Sequence, residues 1–215
     1  MSNEPTFEAE TQPLRCLGHI LNLGSKHAAK SSPDLMTSLA KLTHLNKHAR
    51  KTGEFCQFFS LLYWIHIKKL EPANMKEWRL RPKLAAETRF NSTFIFVKEA
   101  LERKIVYEKY AAAYALVLPD WKILAEVMRF GNLAIECTKF IEKDTTNASH
   151  SLPILRYLKK SLADIDEKLL PNFSKKATST YEKYEKILKN KKSLVDSMIL
   201  HNSYPADAYY RVVLD

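Results

Sequence analysis

The sequence predicts a mainly α-helical protein with little or no sheet. Only four glycines occur in 215 residues, and apolar residues recur at steps of three and four, which is the period of an amphipathic helix. Turn dipeptides between alternating apolar runs, which mark β-hairpins, are missing from the sequence. Hydrophobic residues make up 46% and charged residues 27% of the chain. These values are typical of a globular protein and indicate neither wholesale disorder nor membrane embedding.

The first half of the chain predicts three helices. The first spans residues 14–30, although glycines such as Gly24 weaken it by about 1 kcal/mol each relative to Ala. Ser32 reads as the N-cap of the second helix, with Pro33 in its first turn, and Leu35 and Leu39 share one face. The third segment is apolar nearly all round and predicts a central buried helix. Its apolar positions include Phe55, Phe58, Phe59, Leu62 and Ile65.

The second half begins after an interruption of this periodicity at residues 71–87, which contain two prolines and predict a connecting loop. The next helix shows Phe94, Val97, Leu101 and Ile105 on one face. The aromatic and β-branched run at residues 90–97 leaves a strand as the alternative, and we favour the helix.

Three further breaks delimit the remaining helices. Asp120 follows a proline and starts a helix that should end near Lys143, and a polar loop follows at residues 145–151. Pro171 should end the helix after that loop. The last two helices carry apolar stripes at Leu155, Leu158, Leu162, Ile165 and Leu169, and at Tyr181, Tyr184, Leu188, Val195 and Met198. We therefore expect a disordered acidic segment at residues 1–13 and a helical domain at residues 14–215, with possible boundaries near residues 71–87 and 144–151.

The net charge of +10 favours a polyanionic partner through counterion release. A solvated basic face is the alternative, because many helical proteins are moderately basic. Three widely spaced cysteines predict no disulfide framework and a reducing compartment. Residues 1–13 do not read as a secretory signal, and the most apolar run, residues 58–67, is far shorter than the roughly 20 residues of a membrane span. We expect an intracellular protein with no membrane partner.

The first informative motif is Arg-Cys-Leu-Gly-His-Ile-Leu-Asn-Leu at residues 15–23. Cys16 and His19 lie one helical turn apart on a single face. They supply only two of the four ligands of a usual zinc site, so no metal site is predicted, and a half-buried cysteine beside a hydrogen-bonded histidine is the alternative. The string resembles a motif of hAT-superfamily DNA transposases, in which Cys-x-x-His is followed by Leu-Asn-Leu.

A second motif, Glu-Thr-Arg-Phe-Asn-Ser-Thr, occupies residues 87–93. It resembles the Thr-Arg-Trp-Asn-Ser-Thr string of the same family, with Phe90 in place of the usual tryptophan, and the two motifs occur in the family's order. Weaker similarity extends through residues 120–124, 152–155 and 181–184. Residues 213–215 match the opening of the family's Leu-Asp-Pro-Arg element, as expected of a truncated chain.

The resemblance implies a helical insertion-domain fragment of a ribonuclease-H-like transposase. In that family three carboxylates hold two divalent metal ions, which activate the attacking oxygen and stabilise the leaving oxygen when DNA is cut. The order of the motifs in the family implies that these three acids lie outside this chain. The resemblance therefore implies no catalytic residue and no cofactor for the chain itself, a nuclear location, and transposon-end DNA as the partner. Homo-oligomers are implied for the full-length family.

The same resemblance predicts a nucleic-acid-binding site formed by Arg89, Phe90, Cys16 and His19. Arg89 would contact a phosphate or pair with a flipped base, and Phe90 would offer a stacking platform. The alternative is a surface arginine beside a core phenylalanine. For the lysine-rich residues 175–192, a solvated helix face is favoured over a DNA track.

Two functions stay open at this point. The first is a transposase-like remnant that binds DNA or positions transposon ends without cleaving them. The second is a domesticated basic helical module that binds nucleic acid or another protein. The sequence shows no Gly-rich phosphate loop, nucleophile elbow or zinc-protease helix, so other enzyme classes are set aside.

Overall fold

The mainly helical prediction is confirmed. A computed structural model describes residues 17–69, 80, 82–85, 90–142 and 150–189, and none of these residues lies in a β-strand. Within them a single π-helical turn, Trp64–Lys68, continues the third helix. The α-helices are α1 (Leu17–Lys30), α2 (Pro33–Lys51), α3 (Gly53–Tyr63), α4 (Phe90–Glu102), α5 (Lys104–Ala113), α6 (Trp121–Ile141), α7 (Ser151–Leu162) and α8 (Phe173–Lys189).

One continuous cluster of buried side chains joins these eight α-helices. Helix α1 packs along α8, α4 packs along α6, and α7 lies against α8. The predicted boundaries near residues 71–87 and 144–151 fall largely outside the described residues, as do residues 1–13. None of the described helices combines the length and the apolar character that crossing a membrane requires.

Gly24 lies in the contact between α1 and α8. A Cβ atom at this position would lie 2.1 Å from Cε1 of Tyr181. The Tyr181 ring is fully buried, and its hydroxyl donates a hydrogen bond to the carbonyl of Leu21 over 3.4 Å. The glycine that weakens α1 as an isolated helix therefore makes room for the ring that joins α1 to α8.

Ser32 is the N-cap residue of α2, as predicted, but its side chain does not make the capping hydrogen bond. Its hydroxyl instead donates to the carbonyl of Pro171 over 3.0 Å, and the neighbouring Ser31 hydroxyl donates to the carbonyl of Asn172 over 3.2 Å. The corner between α1 and α2 is thereby tied to the start of α8.

The predicted helix through Phe94, Val97, Leu101 and Ile105 is divided in two. Helix α4 ends at Glu102 and α5 begins at Lys104, so Ile105 falls in a new helix and is exposed. Arg103, at the break, has its guanidinium 5.2 Å from the centre of the Tyr63 ring. The strand alternative for residues 90–97 is wrong because these residues are helical.

The helix predicted to run up to Pro171 ends at Leu162. Ile165 stays buried beyond it, because the following turn is held from outside. The backbone N–H of Asp166 donates to Oε1 of Glu126, on α6, over 2.8 Å. A contact from another helix thus replaces the hydrogen bond that would have continued α7.

Aromatic side chains join α2, α3 and α5. Phe59, in the predicted central helix, is fully buried and meets Tyr107 edge to face at 5.1 Å. His48 stacks on Phe55 at 4.4 Å, and its Nδ1 lies 2.9 Å from the Tyr110 hydroxyl. Burial, with the nearby positive charges of α2, lowers the pKa of His48. The central helix is therefore in the core, although Ile65 at its π-helical end is exposed.

Candidate nucleic-acid interface

The structure describes only part of the site predicted from the two motifs. His19 lies on an exposed position of α1. Phe90 is the first residue of α4, and its side chain lies outside what is described, as do Cys16 and Arg89 altogether. The stacking role of Phe90 and the phosphate role of Arg89 stay predictions.

The two helices that carry the motifs pack against each other. Helix α1, which begins within the first motif, contacts α4, which begins within the second. The start of α4 is fixed on α6, because the Asn91 side-chain amide donates to the Thr138 hydroxyl. One turn further, Phe94 lies so close to Gly131 that a Cβ there would approach it to 2.7 Å. The second motif therefore starts a helix held tightly on the core.

A groove opens between α1, α2 and α4, with a volume of about 430 Å³. Lys26 and Lys30 of α1 and Lys47 of α2 line it together with Thr93, the last residue of the second motif. We call this site the basic groove. Its other lining residues are Met36, Leu39, Thr43, Leu84, Ala85 and Phe96.

The charge of the first two helices is strongly unbalanced. Residues 17–51 contain six Lys or Arg residues and a single acid, Asp34, against 34 and 24 in the whole chain. No described residue that lines the basic groove carries a carboxylate. Positive potential therefore concentrates where the three lysines meet, and this arrangement attracts phosphate or carboxylate groups.

One wall of the basic groove is formed by Leu84 and Ala85, in the short non-helical segment 82–85. Its backbone is held by α2, since the Asn46 amide donates to the carbonyl of Lys83 over 2.6 Å and Arg50 donates to the carbonyl of Pro82 over 2.8 Å. Just before it, the backbone N–H of Leu80 donates to the Ser60 hydroxyl over 2.9 Å. These bonds fix the wall in place before any ligand arrives.

The lysine-rich helix α8 contributes a buried acid, Glu185, to a cluster of ion pairs with α7. Glu185 is buried and lies 2.6 Å from Nζ of Lys159, 3.2 Å from Nε of Arg156 and 3.1 Å from Nζ of Lys189. Burial alone would raise the pKa of Glu185, but these three hydrogen-bonded cations lower it to about 2. Helix α8 therefore uses its charge partly to bind α7.

The sequence prediction did not single out Lys26, Lys30 and Lys47. The available signal was the long stretch with a single acid at residues 17–51, whereas the density of lysines drew attention to residues 175–192. The meeting of α1 and α2 with Thr93 depends on the packing of distant segments. Helical periodicity contains no information about that packing.

Comparison with family models, curated proteins and solved structures gave no match. Among the described residues, no group of three His, Cys, Asp or Glu side chains is placed to hold a metal ion. The three lysines that line the basic groove make it the candidate site of this chain.

Proposed function

We propose that this chain is a hAT transposase-like helical module that binds DNA and positions it without cutting it. The proposal includes a nuclear location, transposon-end DNA as the ligand, and descent from the insertion domain of a ribonuclease-H-like transposase. The single observation that carries it is the basic groove, in which three lysines meet at a residue of the second motif.

The charge geometry supports DNA as the partner. Lysine ammonium groups bind phosphates as point charges and need no fixed bidentate geometry. Lys26 and Lys30 lie on α1 and Lys47 on α2, so a phosphate backbone that crosses the groove meets cations from two helices. Phosphate contacts of this kind position DNA without reading its sequence.

The two motifs support the same surface. The helices that they begin are in contact, and Thr93 lines the basic groove. Arg89 directly precedes α4 in the chain. In the proposed complex Arg89 adds a further phosphate or base contact to those of the three lysines.

The test is a titration of a labelled DNA duplex by fluorescence anisotropy at several salt concentrations. We expect the triple variant Lys26→Gln, Lys30→Gln, Lys47→Gln to weaken binding at least tenfold. Each lost phosphate contact reduces the slope of log K against log salt by about 0.9, so the slope should fall by about 2 to 3. Arg89→Ala should weaken binding further.

The matched control is Lys109→Gln, Lys122→Gln, Lys168→Gln, which removes the same charge from exposed positions outside the groove. It should leave the salt slope nearly unchanged. Equal losses in the two triple variants would assign binding to net charge alone. No affinity at low salt would refute the DNA-binding function.

A further inference from the structure

The floor of the basic groove is apolar, and DNA phosphates do not account for it. Leu39 and Phe96 lie at the bottom of the groove, and both are buried. Met36 and Leu84 complete it and leave 41% of each residue exposed. Phosphate contacts would engage the lysines and leave these side chains in water. The groove fits a ligand that combines an apolar face with negative charge.

The length of the groove indicates the form of that ligand. Met36, Leu39, Thr43 and Lys47 follow one face of α2 at steps of three and four. Eleven residues of helix rise about 16 Å, which is three helical turns. A groove whose lining follows this face of α2 suits an amphipathic helix with anchors at every third or fourth position.

The three lysines that line the basic groove favour an acidic partner helix over a basic one. The lysines at positions 26, 30 and 47 flank the apolar floor, and the described lining residues include no acid. A basic helix would be repelled here, whereas an acidic one would be steered towards the groove and oriented in it. The hydrogen-bonded wall at residues 82–85 also reduces the entropy lost on binding.

We propose that the basic groove is a docking site for an acidic amphipathic helix of a partner protein. The apolar stripe of that helix packs on Met36, Leu39, Leu84 and Phe96, and its flanking carboxylates pair with the three lysines. The inference goes beyond DNA binding. It predicts that the acidic helix and DNA compete for the same lysines.

The probe is a labelled synthetic peptide of about 20 residues, above the roughly 12 to 15 residues at which an isolated helix is marginal, with Leu at alternating steps of three and four and Glu at the flanking positions. Fluorescence anisotropy should show binding that unlabelled DNA displaces. The same peptide with Lys in place of each Glu should bind at least tenfold more weakly. A scrambled peptide of identical composition, which has no apolar stripe, should also lose at least tenfold.

Two exposed floor positions separate this site from DNA binding. The double variant Met36→Gln, Leu84→Gln should weaken peptide binding at least tenfold and reduce DNA affinity by a much smaller factor, because phosphates contact the lysines and not the apolar floor. The matched control is Ile95→Gln, Ile105→Gln, because these residues are 42% and 43% exposed and lie outside the groove. It should bind the peptide as the unmodified chain does.

Three results would overturn the proposal. The first is equal binding of the acidic and scrambled peptides, and the second is unchanged peptide affinity in the floor variant. The third is tighter binding of a peptide with the sequence of residues 1–13, or self-association that the floor variant abolishes, since the occupant would then be this chain or a second copy of it. Loss of DNA binding alone, with the peptide results intact, would refute only the proposed function.

Discussion

At the scale of single residues, Gly24 shows how packing reverses a local preference. Glycine is a poor helix former because its backbone loses more freedom on folding than that of other residues. In the folded chain the missing side chain is the space that the Tyr181 ring occupies. Helix propensity therefore predicts that Gly24→Ala raises the free energy of unfolding, whereas the packing predicts that it lowers it.

We expect Gly24→Ala to lower the free energy of unfolding by about 1 to 3 kcal/mol, the usual cost of overpacking a core. The fully buried Tyr181 ring cannot move aside without disturbing α8. Gly53→Ala is the matched control, because nothing lies within 4 Å of a Cβ at that position. It should be neutral or slightly stabilising. Urea denaturation measures both free energies of unfolding, provided that the m-values of the variants match that of the unmodified chain. A Gly24→Ala variant that is more stable than the unmodified chain would contradict the packing.

Single residues also show why the basic groove was not predicted. The positions of Lys26 and Lys30 on one face of α1 follow from helical spacing. Their proximity to Lys47 and Thr93 follows from contacts between segments far apart in the chain. Ser32 gives the same lesson, since its place before α2 was predicted and its bond to Pro171 was not.

At the scale of helices, the sequence predicted which segments are helical better than it predicted the residues at which the helices end. The apolar spacing of α1, α2, α3 and α6 marked real helices because each of them buries an apolar face. The ends of α4 and α7 were misplaced, and at α7 a hydrogen bond from another helix accounts for the difference. The Glu126 carboxylate accepts a hydrogen bond from the backbone N–H of Asp166, and no sequence pattern at residues 163–170 predicts this bond.

The junction of α7 and α8 should depend on pH through Glu185. Its pKa in the folded chain is about 2, below the 4.5 of an unperturbed glutamate. A group with a depressed folded pKa contributes stability that is present above pH 4.5 and is lost as the pH falls towards 2. We expect Glu185→Gln to reduce the free energy of unfolding by about 1 to 3 kcal/mol at pH 7, the usual cost of leaving buried hydrogen-bonding partners unsatisfied, and the difference from the unmodified chain to shrink between pH 5 and pH 3.

Glu182→Gln is the control for this effect, because Glu182 is 59% exposed and lies 4.0 Å from Lys159. Exposed ion pairs of this kind contribute little, so the variant should unfold almost as the unmodified chain does at every pH. Chemical denaturation at pH 7, 5 and 3 gives the comparison. A loss in Glu185→Gln that stays constant down to pH 3 would show that its cations do not set the pKa.

At the scale of the whole molecule, the continuous core bears on how the chain unfolds. Phe59 of α3 and Phe173 of α8 lie on opposite sides of the expected boundaries near residues 71–87 and 144–151. Both are fully buried in one cluster with Phe94 and Phe130. Segments that share a core lose their packing together, whereas separate domains unfold in separate steps.

We therefore expect one cooperative unfolding transition. Phe59→Leu and Phe173→Leu should each lower the free energy of unfolding by about 1 to 2 kcal/mol, and each should affect α3 and α8 equally. Amide hydrogen exchange measured separately on these two helices gives the local free energies of opening. Each substitution should reduce both values by the same amount. If Phe59→Leu lowered protection in α3 and left α8 unchanged, the chain would contain two independent folding units. If these units separated at residues 71–87, the basic groove would be divided between them, because its lining residues extend from Lys26 to Phe96 across that boundary.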